Sequence, residues 1–128
     1  MAYKLEWEKQ GVVIRYAGRV DIDEVLRAQR DYEGNARFDS LRYVIIDTLA
    51  VIEVCTKARD AETVWVNDAG ASTSNSRIRK AFIATDPSAI AFANAYKDLN
   101  EPGYELRTFE AEGDARQWLT AELGTGIK

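Results

Sequence analysis

Carboxylates, hydroxyls and a single thiol are the side chains that could take part in chemistry, because the 128 residues include one cysteine and no histidine. The absence of histidine excludes Ser-His-Asp and Cys-His nucleophile activation, as well as imidazole acid/base catalysis. One cysteine cannot supply the missing ligands of a typical zinc site. The sequence has no Gly-x-x-x-x-Gly-Lys segment with which to hold a phosphate group. We therefore expect a non-enzymatic protein without a cofactor or a metal.

Two aspartates, Asp47 and Asp86, each follow a short apolar segment and could divide the roles of acid and base between them. In open α/β sheets, ligands bind beyond the carboxyl ends of the strands, and Asp47 would lie there. The structural alternatives are that Asp47 bonds to the loop after it and that Asp86 caps a helix. An enzyme that uses Asp47 and Asp86 is our third hypothesis of function.

The segment from Cys55 to Lys57 is predicted to begin the helix that follows the first of these aspartates. A thiol at a helix N-terminus could be reactive, whereas a packed cysteine is usually inert. Thr56 is predicted to cap the helix, and it is also the candidate phosphoacceptor because a helix N-terminus tolerates the charge of a phosphoryl group. The candidate partner or ligand site comprises Asp47, Thr48, Cys55, Thr56, Lys57, Thr85 and Asp86.

The elements that must position these residues are two uninterrupted apolar segments, residues 43–46 and 81–84. Segments without polar alternation are typical of strands covered on both faces, as in the centre of a parallel sheet. Between the two segments, apolar residues recur at helical spacing from Thr56 to about Gly70. Both candidate strands should therefore be central and joined by a helix.

Local signals place the remaining boundaries. Asp21 with Glu24 predicts a capping-box start for a helix that runs to about Arg30. Asp86 followed by Pro87 is typical of an N-cap and a first helical residue. The other predicted segments are an N-terminal hairpin (4–17) that ends at Gly18, a loop (31–41), a break (100–103), a half-exposed strand (104–108), an amphipathic helix (115–123) and a tail (124–128).

The order of elements, ββαβαβαβα, predicts an α/β fold with a mixed five-stranded sheet and four helices. Strands separated by helices need crossover connections, which give parallel neighbours, so only the N-terminal hairpin should be antiparallel. A chain of 128 residues has the usual size of one domain and buries a substantial core. We therefore expect residues 1–128 to form a single domain with a short C-terminal tail.

Charge and hydropathy restrict the partners. The net charge of −4 offers no basic surplus to neutralise phosphates, so we expect no nucleic-acid partner. The apolar runs are far shorter than a membrane span requires, and the N-terminus lacks the pattern of a signal peptide. A lone cysteine fits a reducing compartment, so the expected location is the cytoplasm. Edge strands need protection, which makes a homodimer one option.

The element order, together with residues 43–47 (Tyr-Val-Ile-Ile-Asp) and 115–119 (Ala-Arg-Gln-Trp-Leu), resembles the SpoIIAA-like branch of the STAS fold over nearly the whole chain. The resemblance implies a regulatory protein, since STAS domains include anti-sigma-factor antagonists. These bind a partner until a serine at the start of the helix after the third strand is phosphorylated. The SpoIIAA-like branch is also compared with SEC14/CRAL-TRIO lipid-binding domains.

The phosphorylation motif of that family transfers poorly to this sequence. Counted from residues 44–46, its Asp-Ser-Ser pattern falls on Cys55, Thr56 and Lys57, which places lysine at the modified position. A slip of one residue makes Thr56 the acceptor, but the Asp and the following Gly are still absent. The resemblance therefore supports the fold more than it supports a phosphoswitch.

The leading hypothesis is a non-enzymatic STAS-like binding module that engages a protein partner through the loop after the third strand, residues 47–57. The second hypothesis is a carrier or sensor of a small apolar ligand, held at the strand ends. Its site would be lined by Leu49, Val51, Ile52 and Val54, a run that is unusually apolar for a loop. The alternative interpretation of that run is core packing beneath a helix.

Overall fold

The structure, a computed structural model, describes residues 3–99 and 104–124 and confirms the predicted order of strands and helices. The predicted break at 100–103 and most of the predicted tail, 125–128, lie outside these residues. The elements are β1 (Tyr3–Trp7), β2 (Gly11–Asp21), α1 (Ile22–Glu33), a 3-10 turn (Phe38–Ser40), β3 (Tyr43–Cys55), α2 (Ala58–Ala71), β4 (Arg79–Ile83), α3 (Pro87–Leu99), β5 (Glu105–Phe109) and α4 (Glu112–Leu123).

The five strands form one sheet in the order β1-β2-β3-β4-β5. β1 and β2 are antiparallel, and every other neighbouring pair is parallel. The predicted mixed sheet is therefore confirmed. None of the helices within residues 3–99 and 104–124 combines the length and the apolar character needed to cross a membrane.

Helices cover both faces of the sheet, which explains the uninterrupted apolar segments. Val44 and Phe82 pack with helices α1 and α3 on one face, while Ile45 and Ala81 pack against Trp118 of α4 on the other. Successive strand residues point to opposite faces, so both series need apolar side chains. Residues 43–46 and 81–83 are accordingly central, as predicted, because each strand has a neighbour on both sides.

The third strand is much longer than its sequence predicts. The predicted strand ends at Asp47, but β3 continues to Cys55. Likewise, β2 does not end at Gly18, whose φ is 72°, but continues to Asp21. The two strands keep pairing beyond Asp47, where β4 ends, so they satisfy each other's backbone groups. We call residues 17–21 with their partners 50–55 the β2–β3 extension.

The apolar run of residues 49–54 therefore does not form a loop. Its side chains also do not all face one pocket. Leu49, just before the extension, is 45% exposed and Ile52 is 69% exposed, whereas Val51 is buried and Val54 is partly buried. Register shifts interrupt the pairing with β2 between Arg15 and Arg19. These shifts disturb the period-two alternation that identifies a strand, which is why the sequence pattern suggested a loop.

The helix caps follow the sequence signals with one exception. The capping box of Asp21 and Glu24 is present, and α1 extends three residues beyond Arg30 to Glu33. The prediction that Thr56 caps α2 is wrong, because Lys57 is the N-cap and its backbone N–H donates to Asp60 Oδ2 at 2.7 Å. An acidic residue at the third helical position that reaches back to the cap residue is sufficient to start the helix.

Candidate functional site

The residues of the predicted site occupy four separate places in the fold. Asp47 lies in an ion-pair cluster, where its Oδ2 is 2.7 Å from Arg15 Nη1. Its Oδ1 accepts a hydrogen bond from the backbone N–H of Leu49 at 2.9 Å. The same Arg15 also contacts Glu112 Oε1 of α4 at 2.9 Å. Asp47 therefore links β3 to β2 and, through Arg15, to α4.

Asp86 is equally committed to a structural role. Its Oδ2 accepts hydrogen bonds from the backbone N–H groups of Ser88 and Ala89 at 3.0 and 3.1 Å, as predicted for a cap of α3. The hydrogen bond from the Ser88 hydroxyl, together with those N–H groups, holds the pKa of Asp86 below its ordinary value. The neighbouring Thr85 is exposed. The contacts of Asp47 and Asp86 therefore do not favour an acid/base pair.

Cys55, Thr56 and Lys57 lie at the end of the β2–β3 extension, where the chain turns into α2. The thiol of Cys55 is exposed, and its Sγ is 3.8 Å from Arg19 Nη2. Thr56 is half-buried and Lys57 is exposed. Together with Ile22, these residues line a shallow surface depression at the N-terminus of α2.

Thr48 belongs to a different place, an internal cavity. Its hydroxyl donates to the backbone carbonyl of Ile83 at 2.7 Å, and the residue is buried. The cavity has a volume of about 70 Å³ and lies between the sheet and helices α1, α2 and α3. Most of its lining is apolar: Ile14, Val20, Val25, Ile46, Val51, Val54, Val64, Phe82, Phe92, Ala93 and Leu106, with Tyr16, Gln29, Tyr32, Thr48, Asp68, Lys80 and Tyr96 contributing polar atoms. Val51 and Val54 line this cavity, while the exposed Leu49 and Ile52 do not.

A buried ion pair forms the polar end of this cavity. Lys80 of β4 places its Nζ 2.8 Å from Asp68 Oδ2 of α2, and both side chains are almost fully buried. The same Nζ donates to Tyr32 Oη at 2.7 Å and lies 5.2 Å from the centre of the Tyr104 ring. The positive charge is thus held by one carboxylate, one phenol and aromatic faces.

Further hydrogen bonds stabilise the carboxylate of this pair. Asp68 Oδ1 accepts from Gln29 Nε2 at 2.8 Å, and Oδ2 accepts from Tyr96 Oη at 2.6 Å. Burial by itself raises the pKa of Asp68, but the Lys80 ammonium and the hydrogen bonds outweigh burial and hold that pKa below its ordinary value. The carboxylate is therefore ionised at neutral pH, and burial raises the pKa of Tyr96 so that its phenol stays a donor.

Glu33, the last residue of α1, is a second carboxyl beside Asp68. Burial, reinforced by the hydrogen bond and negative charge of Asp68, raises the pKa of Glu33 to about 9. Its Oε2 is buried without a hydrogen-bond partner in the described part of the chain. Two carboxyls that share a buried site cannot both be ionised easily, so Glu33 is protonated at neutral pH.

The sequence carried an overlooked signal for this cluster. Gln29 shares its helical stripe with the apolar Val25, and Asp68 follows Ala61 and Val64 at helical spacing. Polar residues at inward positions are rarely buried without partners. Lys80 looked like the polar boundary of a strand because Arg79 precedes it. Within residues 3–99 and 104–124, no group of acidic or thiol side chains is arranged to hold a metal ion.

Comparisons with known proteins identify the fold. No family model matches the sequence, and comparison with curated proteins gives no match. Solved structures do match, each at 13–15% sequence identity. The anti-sigma factor antagonist SpoIIAA in its unphosphorylated form matches with a TM-score of 0.58, over 97% of this chain and 100% of that one.

Two further solved structures give the same result. An anti-sigma factor antagonist from Mycobacterium paratuberculosis matches with a TM-score of 0.61 over 91% of this chain and 92% of that one. An uncharacterized protein with a SpoIIAA-like fold from Shewanella loihica matches with a TM-score of 0.55 over 92% of each chain. Alignments that cover most of the chain at such low sequence identity are evidence for a shared fold and not for a shared function. The resemblance read from the sequence is confirmed, and the protein has the SpoIIAA-like fold.

Proposed function

We propose that the protein is a non-enzymatic regulatory module that binds a protein partner through the outer surface beside the β2–β3 extension. The observation that carries the proposal is the exposure of two large aliphatic side chains, Leu49 and Ile52, on a paired strand. A strand holds its side chains in fixed directions, so each of these two apolar side chains is already ordered before a partner binds. Pre-ordering lowers the entropy loss on association.

The surroundings of these two side chains have the composition of an interface. Arg19 and Glu53 form an exposed ion pair at 3.0 Å on the extension. Lys57 follows where the chain turns into α2. Interfaces combine an apolar centre with a polar rim, so the partner would carry a small apolar patch bordered by charges of both signs.

The fold supports a regulatory role for this surface. Two of the matched structures are anti-sigma factor antagonists, so a partner of the anti-sigma-factor class is the first to test. Thr56 remains the candidate phosphoacceptor of this proposal. It lies between the end of β3 and the N-cap of α2, where an added phosphoryl group would change the local charge.

Capture of partners from cells of the source organism, followed by quantitative mass spectrometry, tests the proposal. The variant Ile52→Asp places a charge in the proposed interface, and we expect it to lower partner recovery by about ten-fold or more, as for a residue at an interface centre. Val66→Asp is the matched control, because Val66 is an aliphatic side chain of α2 that is 54% exposed. Equal recovery of the same proteins by both variants would contradict the proposal.

A second candidate function is the carriage or sensing of a small apolar ligand, and the internal cavity favours it. An apolar cavity that also contains a few convergent polar groups is the common form of a small-molecule site. Native mass spectrometry after gentle purification would detect a retained molecule as added mass. That mass should disappear on unfolding if the molecule is bound without a covalent link.

A further inference from the structure

We infer that the cavity binds a small neutral molecule with an apolar body and one hydrogen-bond acceptor, such as a ketone or ether oxygen, which the Lys80 ammonium contacts. The inference rests on the second candidate function above and specifies the chemical class of its ligand. Lys80 and Asp68 line the polar end of the cavity, and aliphatic and aromatic side chains line the rest.

The cavity has a polar interior and an apolar opening. Lys80 pairs with Val44 near the start of the parallel strands. The pair of Phe82 and Ile46 lies two residues closer to the carboxyl ends of these strands. Among the lining residues, five are partly exposed, and all of them except Leu106, which pairs with Lys80, belong to α1, β3 or α3: Val25, Ile46, Val54, Phe92 and Leu106. The opening therefore lies toward the carboxyl ends of the strands, the usual ligand side of such a sheet. A ligand would enter with its polar atom first.

The hydrogen bonds of Lys80 leave room for one acceptor. An ammonium has three N–H groups. In the described part of the chain, Nζ donates to Tyr32 Oη and to Asp68 Oδ2. Lys80 is only 3% exposed, and besides these two acceptors its Nζ has the ring faces of Tyr32 and Tyr104 nearby, at 5.4 and 5.2 Å. A ring face is a weaker acceptor than an oxygen atom, and a buried donor without a full hydrogen bond is unfavourable. A carbonyl or ether oxygen in the cavity would complete the set.

The charges around the cavity favour a neutral ligand. Lys80 and Asp68 compensate each other at 2.8 Å, and the nearby Glu33 carboxyl is protonated at neutral pH because burial and Asp68 raise its pKa. A ligand carboxylate would add a second negative charge next to Asp68, and a ligand ammonium would repel Lys80. Both are costly where water is excluded.

The cavity and the buried Lys80–Asp68 ion pair occur together, and this combination indicates a role in ligand binding rather than in stabilising the fold. A cavity lowers stability through lost packing, and a buried ion pair can usually be replaced by apolar residues without loss. The size sets a further limit. A cavity of roughly 150 Å³ holds benzene, so one of about 70 Å³ takes a body of a few carbon atoms, and a longer tail would lie in the opening.

Methyl NMR of the whole protein tests the inference, with xenon, pentane, 2-pentanone and pentanoate as probes. Xenon reports only that the cavity admits a guest. We expect 2-pentanone to shift the methyl signals of Val25, Val54 and Val64 saturably, and to bind about ten-fold more tightly than pentane because it gains a hydrogen bond to a charged donor. Pentanoate at neutral pH should bind more weakly than the ketone.

The paired variant Lys80→Met with Asp68→Asn removes the ammonium without leaving an unpaired charge. We expect it to bind xenon as before but to bind 2-pentanone and pentane equally. Lys57→Met is the matched control, since this exposed lysine lies outside the cavity. If the paired variant fails to fold, the relative affinities of the four probes for the unaltered protein still decide whether the cavity recognises a polar atom.

Two results would overturn the inference, and they have different meanings. If xenon and pentane bind and the ketone binds no better, recognition of a polar atom is wrong while ligand binding stands. If none of the probes, xenon included, shifts any methyl signal, the cavity admits no guest, and the second candidate function fails together with the inference.

Discussion

At the scale of single residues, the most consequential side chain is Lys80, a lysine in the interior of a central strand. It is accommodated because Asp68, Tyr32 and the ring of Tyr104 surround its ammonium. An ionised group without such partners is strongly disfavoured inside a protein. The partners come from α1, α2 and the segment before β5, so this one residue ties three parts of the chain to β4.

Replacement of Lys80 alone should be far more damaging than replacement of the pair. Lys80→Met leaves the buried Asp68 carboxylate without its counter-charge, and we expect a loss of about 3–5 kcal/mol in the free energy of unfolding. Adding Asp68→Asn to this variant should recover much of the loss, because the amide can still bond to Gln29 and Tyr96. Urea denaturation measures both values. Equal destabilisation by the single and the paired variant would show that the ion pair does not govern stability here.

At the scale of elements, the start of β2 depends on a close approach of the backbone to a ring. A Cβ built on Gly11 would lie 2.2 Å from ring carbons of Tyr43, whose side chain is fully buried. Gly11 pairs with Tyr43 in the parallel β2–β3 ladder. The ring therefore occupies the space that any side chain at position 11 would need, and glycine is required there for steric reasons.

Two alanine substitutions should consequently have opposite signs. Gly11→Ala should lower the free energy of unfolding by about 1–3 kcal/mol through overpacking. Gly113→Ala, near the start of α4, meets nothing within 4 Å and should raise that free energy by about 0.4–1 kcal/mol, since alanine restricts the unfolded chain. Thermal or urea unfolding distinguishes the two. A stable Gly11→Ala variant would mean that the Tyr43 ring can move aside.

The extension of β2 and β3 shows how far neighbouring strands can alter local predictions. Residues 49–54 have no clean alternation, and by themselves they suggest an apolar loop. Pairing with β2 turns them into a strand and exposes Leu49 and Ile52. Strand pairing joins residues more than thirty positions apart in this case, so a local pattern could not specify it.

At the scale of the whole molecule, the buried carboxyls make stability depend on pH. The folded-state pKa of Glu33 is raised to about 9, above its value in the unfolded chain. Its contribution is therefore complete below the unfolded pKa and is lost as the pH rises through about 9. The lowered pKa of Asp68 acts in the opposite direction, and its contribution is lost as the pH falls through the folded-state value.

We therefore expect the free energy of unfolding to decrease from about pH 5 to pH 9, because the unfolded state releases the Glu33 proton first. The slope stays below the limit of about 1.4 kcal/mol per pH unit for one proton, since Glu33 is partly exposed to screening by solvent. Glu33→Gln, which keeps a neutral group, should flatten the curve in this range. Urea denaturation across the pH series measures the slope, and an unchanged slope in Glu33→Gln would assign it to other groups.

The sequence by itself determined the order and type of the elements, the central position of residues 43–46 and 81–83, and the caps at Asp21 and Asp86. These features depend on apolar periodicity and on hydrogen bonds between residues a few positions apart. The length of β3 and the cavity were decided by the tertiary structure. Gln29, Asp68 and Lys80 come from three elements, and only the packing of α1 and α2 over β4 brings their charges and hydrogen bonds together.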